Sequence, residues 1–331
     1  MFQPILQVNH HARFIFCLIA SVILLSFASS GSAQDQEPVD VIRVRTDLVA
    51  VPVSVIDSHR RYVSTLKAED FVLTDNGQTA KIDYFASGAE HVGLLFAIDV
   101  SGSARNIIEQ QRSTALALFS RFGSGSRVAV LHFGDFVRLT VPFTGKLDGA
   151  EGIFRYRPEN NTGTAIFDAA AAAVRSFDGS GGFSTERRIV LLISDGLDTL
   201  SSTKYKAVID AARLRGVSFY VIHFPLFSPS EGRLAPRPPT RGVRELAEQT
   251  GGRYFRIGDA RSALDPNAKY DLTPVFQAIE DDLKGQYVLG FYPGENARTV
   301  QPHLIAVRLS QPRKKFKVNQ LKSSYNLKDQ P

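Results

Sequence analysis

The sequence predicts an α/β fold: a doubly wound, mostly parallel β-sheet with helices on both faces, plus a small β-sandwich formed by the N- and C-terminal flanks. Three observations predict it. Between residues 91 and 284, continuous apolar runs alternate with helical stretches, as in sheets whose strands are buried on both faces. On either side, shorter β-branched or alternating segments lack a helical period. Each flank is too small to bury a core alone, so we expect the two to pair.

Residues 1–33 have the pattern of an export signal. An apolar run from Phe14 to Ala28 is preceded by the basic residues His10, His11 and Arg13 and followed by the small residues of Gly31-Ser32-Ala33. The run is shorter than the roughly 20 residues of a membrane-spanning helix. We expect cleavage after Ala33 and export to the periplasm, the cell envelope or the medium. An uncleaved N-terminal anchor is the alternative, and it is the only membrane contact that we expect.

The composition fits an exported protein with a hydrophobic core. The single cysteine, Cys17, lies inside the signal, so the mature chain would have no disulfide and would depend on its core for stability. Hydrophobic residues make up 44% of the 331 residues and charged residues 22%, which is ordinary for a globular protein. The formal net charge of +6 is mild for this length, and we expect no nucleic-acid partner.

The N-terminal flank follows a short linker. Residues 34–40 are polar and contain a proline, and residues 41–90 are expected to form the first part of the sandwich. The stretch from Val41 to Ile56 is rich in Val and Ile. Phe71–Leu73 and Lys81–Phe85 lie on either side of Asp75-Asn76-Gly77, whose residue types predict the turn of a β-hairpin.

The central region, residues 91–284, alternates strands and helices. Buried strands are predicted at four apolar runs: Leu94–Ile98, Val128–Phe133, Arg188–Ile193 and Ser218–Phe224. Helices are predicted at five stretches: Asn106–Phe122, Ala165–Phe177, Thr203–Arg215, Val243–Thr250 and Asp271–Leu283. Residues 285–325 return to β character and are expected to form the second part of the sandwich. Strands are predicted there at 286–292, 303–309 and 315–321, and residues 326–331 are a tail.

Three segments place oxygen-bearing side chains at one edge of the predicted sheet. Asp99, Ser101 and Ser103 follow the first buried strand at intervals of two residues. Asp195 follows the Arg188–Ile193 strand, and Thr164 precedes the alanine-rich helix. Open α/β sheets bind ligands at the carboxyl ends of their strands. Because hard divalent cations prefer oxygen ligands, these three segments together indicate a metal site.

Together these residues resemble the metal-ion-dependent adhesion site of von Willebrand factor A domains. That pattern is Asp-x-Ser-x-Ser, a distant Thr and an Asp in an Asp-Gly turn, and the five residues match it in order. The flanks, with LKAEDFVLTDNGQTAKIDYF and GQYVLGFYPG, resemble a bacterial family of exported VWFA-related proteins. The resemblance implies a Rossmann-like fold and a divalent cation, Mg²⁺ before Mn²⁺ or Ca²⁺. It also implies one coordination position for water or for a partner's carboxylate.

This pattern favours binding over catalysis. We expect a protein partner that offers an Asp or Glu carboxylate, and no enzyme activity. A metal-dependent hydrolase is the first alternative, but it needs a general base, and the candidates His132 and His223 lie between apolar residues in predicted strands. The second alternative is an envelope scaffold whose metal site does not function. The sequence contains no His-Glu-x-x-His, Gly-x-Ser-x-Gly or phosphate-binding loop.

A proline-rich segment, residues 225–241, follows the Ser218–Phe224 strand and should rise from the same edge. Its arginines, Arg233, Arg237 and Arg241, could steer an acidic partner, or the segment could be a loop without such a task. Asp198 could support the metal site indirectly or be an ordinary turn residue.

Overall fold

The computed structural model describes residues 48–59, 61–88, 91–145, 163–182, 185–262, 268–294, 301–311 and 315–327, together with the single positions 152, 154, 156 and 265. These residues all belong to one compact unit, Arg45–Pro331. The expected signal and linker lie outside the described residues. None of the helices in the described ranges has the length and apolarity to cross a bilayer.

Strands dominate both flanks. The N-terminal flank has four: β1 (Val49–Ile56), β2 (Phe71–Asp75), β3 (Gln78–Ala80) and β4 (Tyr84–Ser87). The central region has eight: β5 (Val92–Asp99), β6 (Arg127–Phe133), β7 (Val137–Thr144), β8 (Arg187–Ser194), β9 (Val217–His223), β10 (Phe227–Ser230), β11 (Arg233–Pro236) and β12 (Tyr254–Arg256). The C-terminal flank adds β13 (Gln286–Phe291), β14 (His303–Leu309), β15 (Lys317–Gln320) and β16 (Ser324–Tyr325).

Five α-helices and two 3₁₀ helices are described. The α-helices all lie in the central region: α1 (Ile108–Phe122), α2 (Ile166–Arg175), α3 (Tyr205–Arg215), α4 (Val243–Gln249) and α5 (Thr273–Lys284). The 3₁₀ helices are Ala68–Asp70, before β2, and Ser103–Ile107, before α1.

The central sheet has the order β12-β9-β8-β5-β6-β7, and only β7 is antiparallel to its neighbour. Alternate residues of β5 enter two separate cores, as period-two geometry requires. Leu95 and Ala97 pack with α2, α3 and α4, whereas Leu94, Phe96 and Ile98 pack with α1 and α5. Helices therefore cover both faces, which confirms the doubly wound, mostly parallel fold.

The sandwich is made of two four-stranded sheets, β15-β1-β13-β4 and β16-β14-β2-β3. β1 lies between two strands of the C-terminal flank, with Val49 opposite Phe291 and Val55 opposite Val318. The two sheets share a core that includes Val51, Leu73 and Leu289. The structure therefore confirms that strands from the two flanks pair with each other.

The predicted hairpin differs in its second strand. Asn76 and Gly77 both have positive φ, 47° and 81°, and form a two-residue turn that places Asp75 opposite Gln78. The second strand is therefore β3, which starts directly after the turn. Part of the predicted strand, Tyr84-Phe85, belongs to β4, which pairs with β13 in the other sheet.

A buried ion pair joins the start of β8 to α5. Arg187 is 1% exposed, and its Nη2 donates to Asp282 Oδ2 at 2.8 Å and to Ser218 Oγ at 2.9 Å. The Tyr220 hydroxyl donates to the same carboxylate oxygen at 2.5 Å. Removing one member of such a pair leaves an uncompensated buried charge, which is far more costly than losing an exposed pair.

We predict that Asp282→Ala lowers the free energy of unfolding by about 3–5 kcal/mol, because it strands the Arg187 guanidinium. Glu280 lies on the same helix and pairs with the exposed Arg121, so Glu280→Ala should cost at most about 1 kcal/mol. Denaturant titration of the two variants measures both values. Equal losses would show that Asp282 does not compensate a buried charge.

Candidate metal centre

The first candidate segment turns sharply at the carboxyl end of β5. Asp99 is 0% exposed, and its Oδ1 accepts a hydrogen bond of 3.0 Å from the Ser101 backbone N–H. Ser101 is also buried, and its Oγ lies 3.1 Å from the Oγ of Ser103. Ser103 is exposed and opens the 3₁₀ helix Ser103–Ile107. The three side chains are thus gathered within one turn.

The second segment follows β8, the neighbour of β5. Asp195 is 1% exposed, its Oδ1 accepts from the Leu197 N–H at 2.9 Å, and its carboxylate accepts a hydrogen bond from Ser103. Its Oδ2 is buried and has no hydrogen-bond partner. The next residue, Gly196, has φ of 80°, and a Cβ there would lie 2.9 Å from His223 Nε2. Only glycine therefore suits this turn.

Ser194 connects the two carboxylate-bearing turns. Its hydroxyl donates to Asp99 Oδ2 at 2.6 Å and accepts from the Gly196 N–H at 3.0 Å. Both oxygens of Asp99 are thereby fixed in direction. The only sequence signal for this role is that Ser194 ends the strand directly before Asp195.

Thr164 lies on a third loop, which two other loops hold at this edge. Its N–H donates to Thr199 Oγ1 at 2.9 Å, and its carbonyl accepts from the Leu200 N–H at 3.0 Å. On the other side, the N–H of Ala165 donates to the carbonyl of Gly134 at 3.0 Å. Because Gly134 follows β6 and Thr199 comes after β8, Thr164 lies at the same edge as Asp99. The hydrogen bonds described for Thr164 do not link it with the other four candidates.

Asp198 contacts the start of α2 and is not one of the five candidate ligands. Its Oδ1 accepts from the Ile166 N–H at 2.7 Å and from Ser201 Oγ at 2.5 Å. It therefore caps the first turn of α2, directly after Thr164. Of the two roles that the sequence left open for Asp198, this contact supports the indirect one.

The electrostatics of the two carboxylates are unusual. Neither Asp99 nor Asp195 forms an ion pair with any Lys, Arg or His of the described residues. Burial, and secondly the charge of Asp195, raises the pKa of Asp99 to about 7. Burial also raises the pKa of Asp195, although the Ser103 hydrogen bond opposes this effect. Close, buried, negative groups of this kind are stable when a cation balances them.

The donor set fits a hard divalent cation. It offers two carboxylates and three hydroxyls, and Asp195 Oδ2 is buried without a hydrogen-bond donor. Within the described ranges there is no group of three or more His, Cys, Asp or Glu side chains that could hold a metal. A metal at this edge would therefore depend on the hydroxyl oxygens of Ser101, Ser103 and Thr164.

The two candidate general bases are buried. Burial lowers the pKa of both His132 and His223 to about 4, so both are neutral near pH 7. The Nε2 atom of each is buried without a hydrogen-bond partner. His223 Nδ1 is hydrogen-bonded to the Tyr254 hydroxyl, and the His132 ring packs 4.9 Å from the ring of Tyr156, centroid to centroid. The Nε2 atoms of both histidines are therefore shielded from solvent.

The proline-rich segment 225–241 lies against the Asp195-Gly196 turn. It contains the β10–β11 hairpin and then returns to the sheet edge, where the Thr240 N–H donates to the Gly196 carbonyl at 2.8 Å. The Asp198 N–H donates to Thr240 Oγ1 at 2.9 Å. Arg237 is exposed, and its charge lowers the pKa of Asp195, against the larger effect of burial. An exposed cationic group is therefore close enough to Asp195 to affect it.

The family model of the von Willebrand factor type A domain matches residues 94–197. The chain carries a von Willebrand factor type A (VWA) domain. The matched residues include all five candidate ligands, from Asp99 at the end of β5 to Asp195 after β8. The VWA match, the parallel central sheet and the helices on both faces agree with one another.

Several solved structures resemble the chain at low identity. The conserved hypothetical protein BatB from Bacteroides thetaiotaomicron is 20% identical with a TM-score of 0.44, covering 58% of this chain and 99% of that one. An aerotolerance-related membrane protein from Bacteroides fragilis is 22% identical with a TM-score of 0.41, covering 57% and 98%. Proximal thread matrix protein 1 from the mussel byssus, solved with a zinc-occupied MIDAS motif, is 15% identical with a TM-score of 0.47, covering 63% and 50%. No protein with a curated description matches this chain.

The raised pKa of Asp99 predicts a pH-dependent stability when metal is removed. Between the ordinary pKa of an aspartate and the raised value, the folded VWA domain binds a proton that the unfolded chain does not. The free energy of unfolding in EDTA should therefore fall as pH rises from about 4 to about 8. Asp99→Asn cannot titrate, so its stability relative to wild type should increase by about 1–3 kcal/mol over that range.

Denaturant titrations in EDTA at pH 4.5, 6 and 8 measure this difference. Asp281→Asn, which alters an exposed carboxylate on α5, is the matched control and should track wild type. Parallel pH profiles for Asp99→Asn and wild type would mean that Asp99 carries no extra proton in the folded state.

Proposed function

We propose that the VWA domain is a protein-interaction module that captures an Asp or Glu carboxylate of a partner protein through a divalent cation, Mg²⁺ in the first place. We also propose that the N-terminal signal exports it to the periplasm, the cell envelope or the medium. One observation carries the first proposal: two buried carboxylates meet at the sheet edge with no ion-pair partner among the described residues, and one oxygen of Asp195 has no donor.

The five residues divide into two groups with different tasks in this proposal. Asp99 and Asp195 supply the negative charge, whereas Ser101, Ser103 and Thr164 supply neutral oxygens. The Ser101 and Leu197 N–H groups and the Ser194 hydroxyl hold the carboxylates in fixed directions. When bound, a hard cation such as Mg²⁺, Mn²⁺ or Ca²⁺ supplies a Lewis-acidic position whose water an incoming carboxylate can replace.

Binding is favoured over hydrolysis because neither candidate histidine can offer its Nε2 atom to a water molecule at the edge. His132 and His223, the two candidates, have buried Nε2 atoms. A base that activates water needs hydrogen-bond access to that water. The proposal that the chain is not an enzyme rests on this burial and on the motifs that the sequence lacks.

Calorimetric titration with Mg²⁺, Mn²⁺ and Ca²⁺ tests the metal site. We expect one ion per chain for wild type, and at least a hundredfold weaker binding for Asp99→Ala, which removes one of two charged ligands; such a loss corresponds to about 3 kcal/mol or more. Asp281→Ala should bind like wild type. If none of the three ions releases or absorbs heat beyond dilution, the site does not bind metal.

A capture experiment tests the partner class. The immobilised chain is incubated with an envelope extract from its own source, with Mg²⁺ or with EDTA. We expect retained proteins that EDTA and Asp99→Ala both release, because the bond to the partner runs through the metal. Capture that is indifferent to both treatments would favour a scaffold whose metal site does not function, and turnover of a phosphoester or peptide would favour a hydrolase.

A further inference from the structure

Large apolar side chains are exposed beside the candidate metal centre. Among the described residues, the three most exposed large apolar side chains are Phe136 at 74%, Leu304 at 66% and Leu200 at 51%. Leu304 belongs to the sandwich, but Phe136 and Leu200 both lie on the loops that hold Thr164. Single exposed apolar residues are common, whereas two around one site are a feature of interaction surfaces.

Leu200 is fixed over the segment that carries Thr164. Its N–H donates to the Thr164 carbonyl at 3.0 Å. Its side chain packs directly on Gly163, where an added Cβ would lie 2.0 Å from Leu200 Cδ1. Gly163 therefore leaves the space that Leu200 occupies, and half of the leucine side chain still faces solvent.

Phe136 lies on the loop after β6, which is also bonded to the segment that carries Thr164. Asp135 Oδ1 accepts from the Gly163 N–H at 2.9 Å, and the Gly134 carbonyl accepts from the Ala165 N–H at 3.0 Å. The Gly134 N–H in turn donates to the Phe136 carbonyl at 3.2 Å. The two side chains, which we call the apolar rim, thus flank Thr164 on two rigidly bonded loops.

The cationic groups near the apolar rim are exposed, whereas the acidic side chains are held by local hydrogen bonds. The nearby acidic side chains already accept backbone N–H groups: Asp135 from Gly163, Asp198 from Ile166, and Asp168 from Ser202 and Thr203. In contrast, Arg233, Arg237 and Arg241 of the adjoining segment are exposed and form no ion pair with the described residues. The surface therefore combines exposed apolar side chains with exposed arginines that have no ion-pair partner among the described residues.

We propose that the apolar rim selects, among carboxylate-bearing partners, an acidic peptide segment with a large apolar side chain within two residues of its Asp or Glu. The carboxylate binds at the metal, and the apolar side chain packs on Phe136 and Leu200. This inference rests on the proposed function, because the metal-bound carboxylate sets the distance to the rim. Burying part of one apolar side chain should raise affinity about fivefold to tenfold.

An array of immobilised hexapeptides tests this selection. Each peptide has one Glu, Asp or Gln at a fixed position and varied neighbours, and the full chain is applied with Mg²⁺ or with EDTA. For wild type we expect Mg²⁺-dependent retention of Glu and Asp peptides, about fivefold to tenfold greater when Leu, Phe, Ile or Tyr lies within two residues than when Ser or Gly does.

Three variants separate the apolar rim from the metal site. The double variant F136S/L200S changes only exposed side chains, so it should keep the Mg²⁺-dependent retention of acidic peptides but lose the preference for apolar neighbours. The matched control Leu304→Ser, at the similarly exposed position on the sandwich, should keep both. Asp99→Ala should lose the Mg²⁺-dependent retention altogether.

The outcomes distinguish the two proposals. Mg²⁺-dependent retention without an apolar preference, or a preference that persists in F136S/L200S, overturns the role of the rim and leaves the proposed function standing. If no acidic peptide is retained in a Mg²⁺-dependent way, both proposals fail. Thermal unfolding of each variant shows whether it is folded during the assay.

Discussion

Two carboxyl groups buried at one edge of the central sheet are the constraint on which this VWA domain depends. β5 and β8 are adjacent parallel strands with Ile98 opposite Ile193. Asp99, the last residue of β5, and Asp195, the first residue after β8, therefore emerge together at one edge. Burying unpaired carboxylates is costly, and the local backbone and Ser194 reduce that cost only in part. The arrangement is consistent with a site that is completed by a cation. It also explains why the surrounding loops are held so firmly.

Those loops form a connected hydrogen-bonded frame. The loop after β6 and the loop after β8 bind the segment 163–165 from two sides, and Asp198 caps the helix that follows. The segment 225–241 adds a further contact to the Asp195-Gly196 turn. Each loop is therefore held by a neighbour as well as by hydrogen bonds among its own residues. A binding site built this way is preorganised, which reduces the entropy lost when a partner docks.

The parts of the structure that local sequence determines were predictable. Continuous apolar runs identified the buried strands of the central sheet, and the Asp-x-Ser-x-Ser and Asp-Gly patterns identified where carboxylates meet. The parts that depend on distant partners were not. The bond from Ser194 to Asp99 crosses between two strands, and the division of the hairpin region between β3 and β4 depends on β13.

The solvent exposure of individual apolar side chains likewise could not be predicted from the sequence. Phe136 and Leu200 are large apolar residues of the kind usually found in a core, and only the folded structure shows that they face solvent. β7 was also missed: its apolar and polar residues alternate, but it contains Pro142, which argues against a central strand, and its pairing with β6 is irregular. The fold brings the five oxygen donors to one edge, and the calorimetric titration measures their binding of a metal ion.

The shared sandwich has a consequence for the order of folding. β1 pairs only with strands that are synthesised after the whole central sheet, because its neighbours β13 and β15 both lie in the C-terminal flank. Such distant pairings are slow to form, since a long loop must close before they gain any stability. β1 therefore stays without these neighbours until the C-terminal flank has been synthesised, whereas β2 and β3 can already form their hairpin.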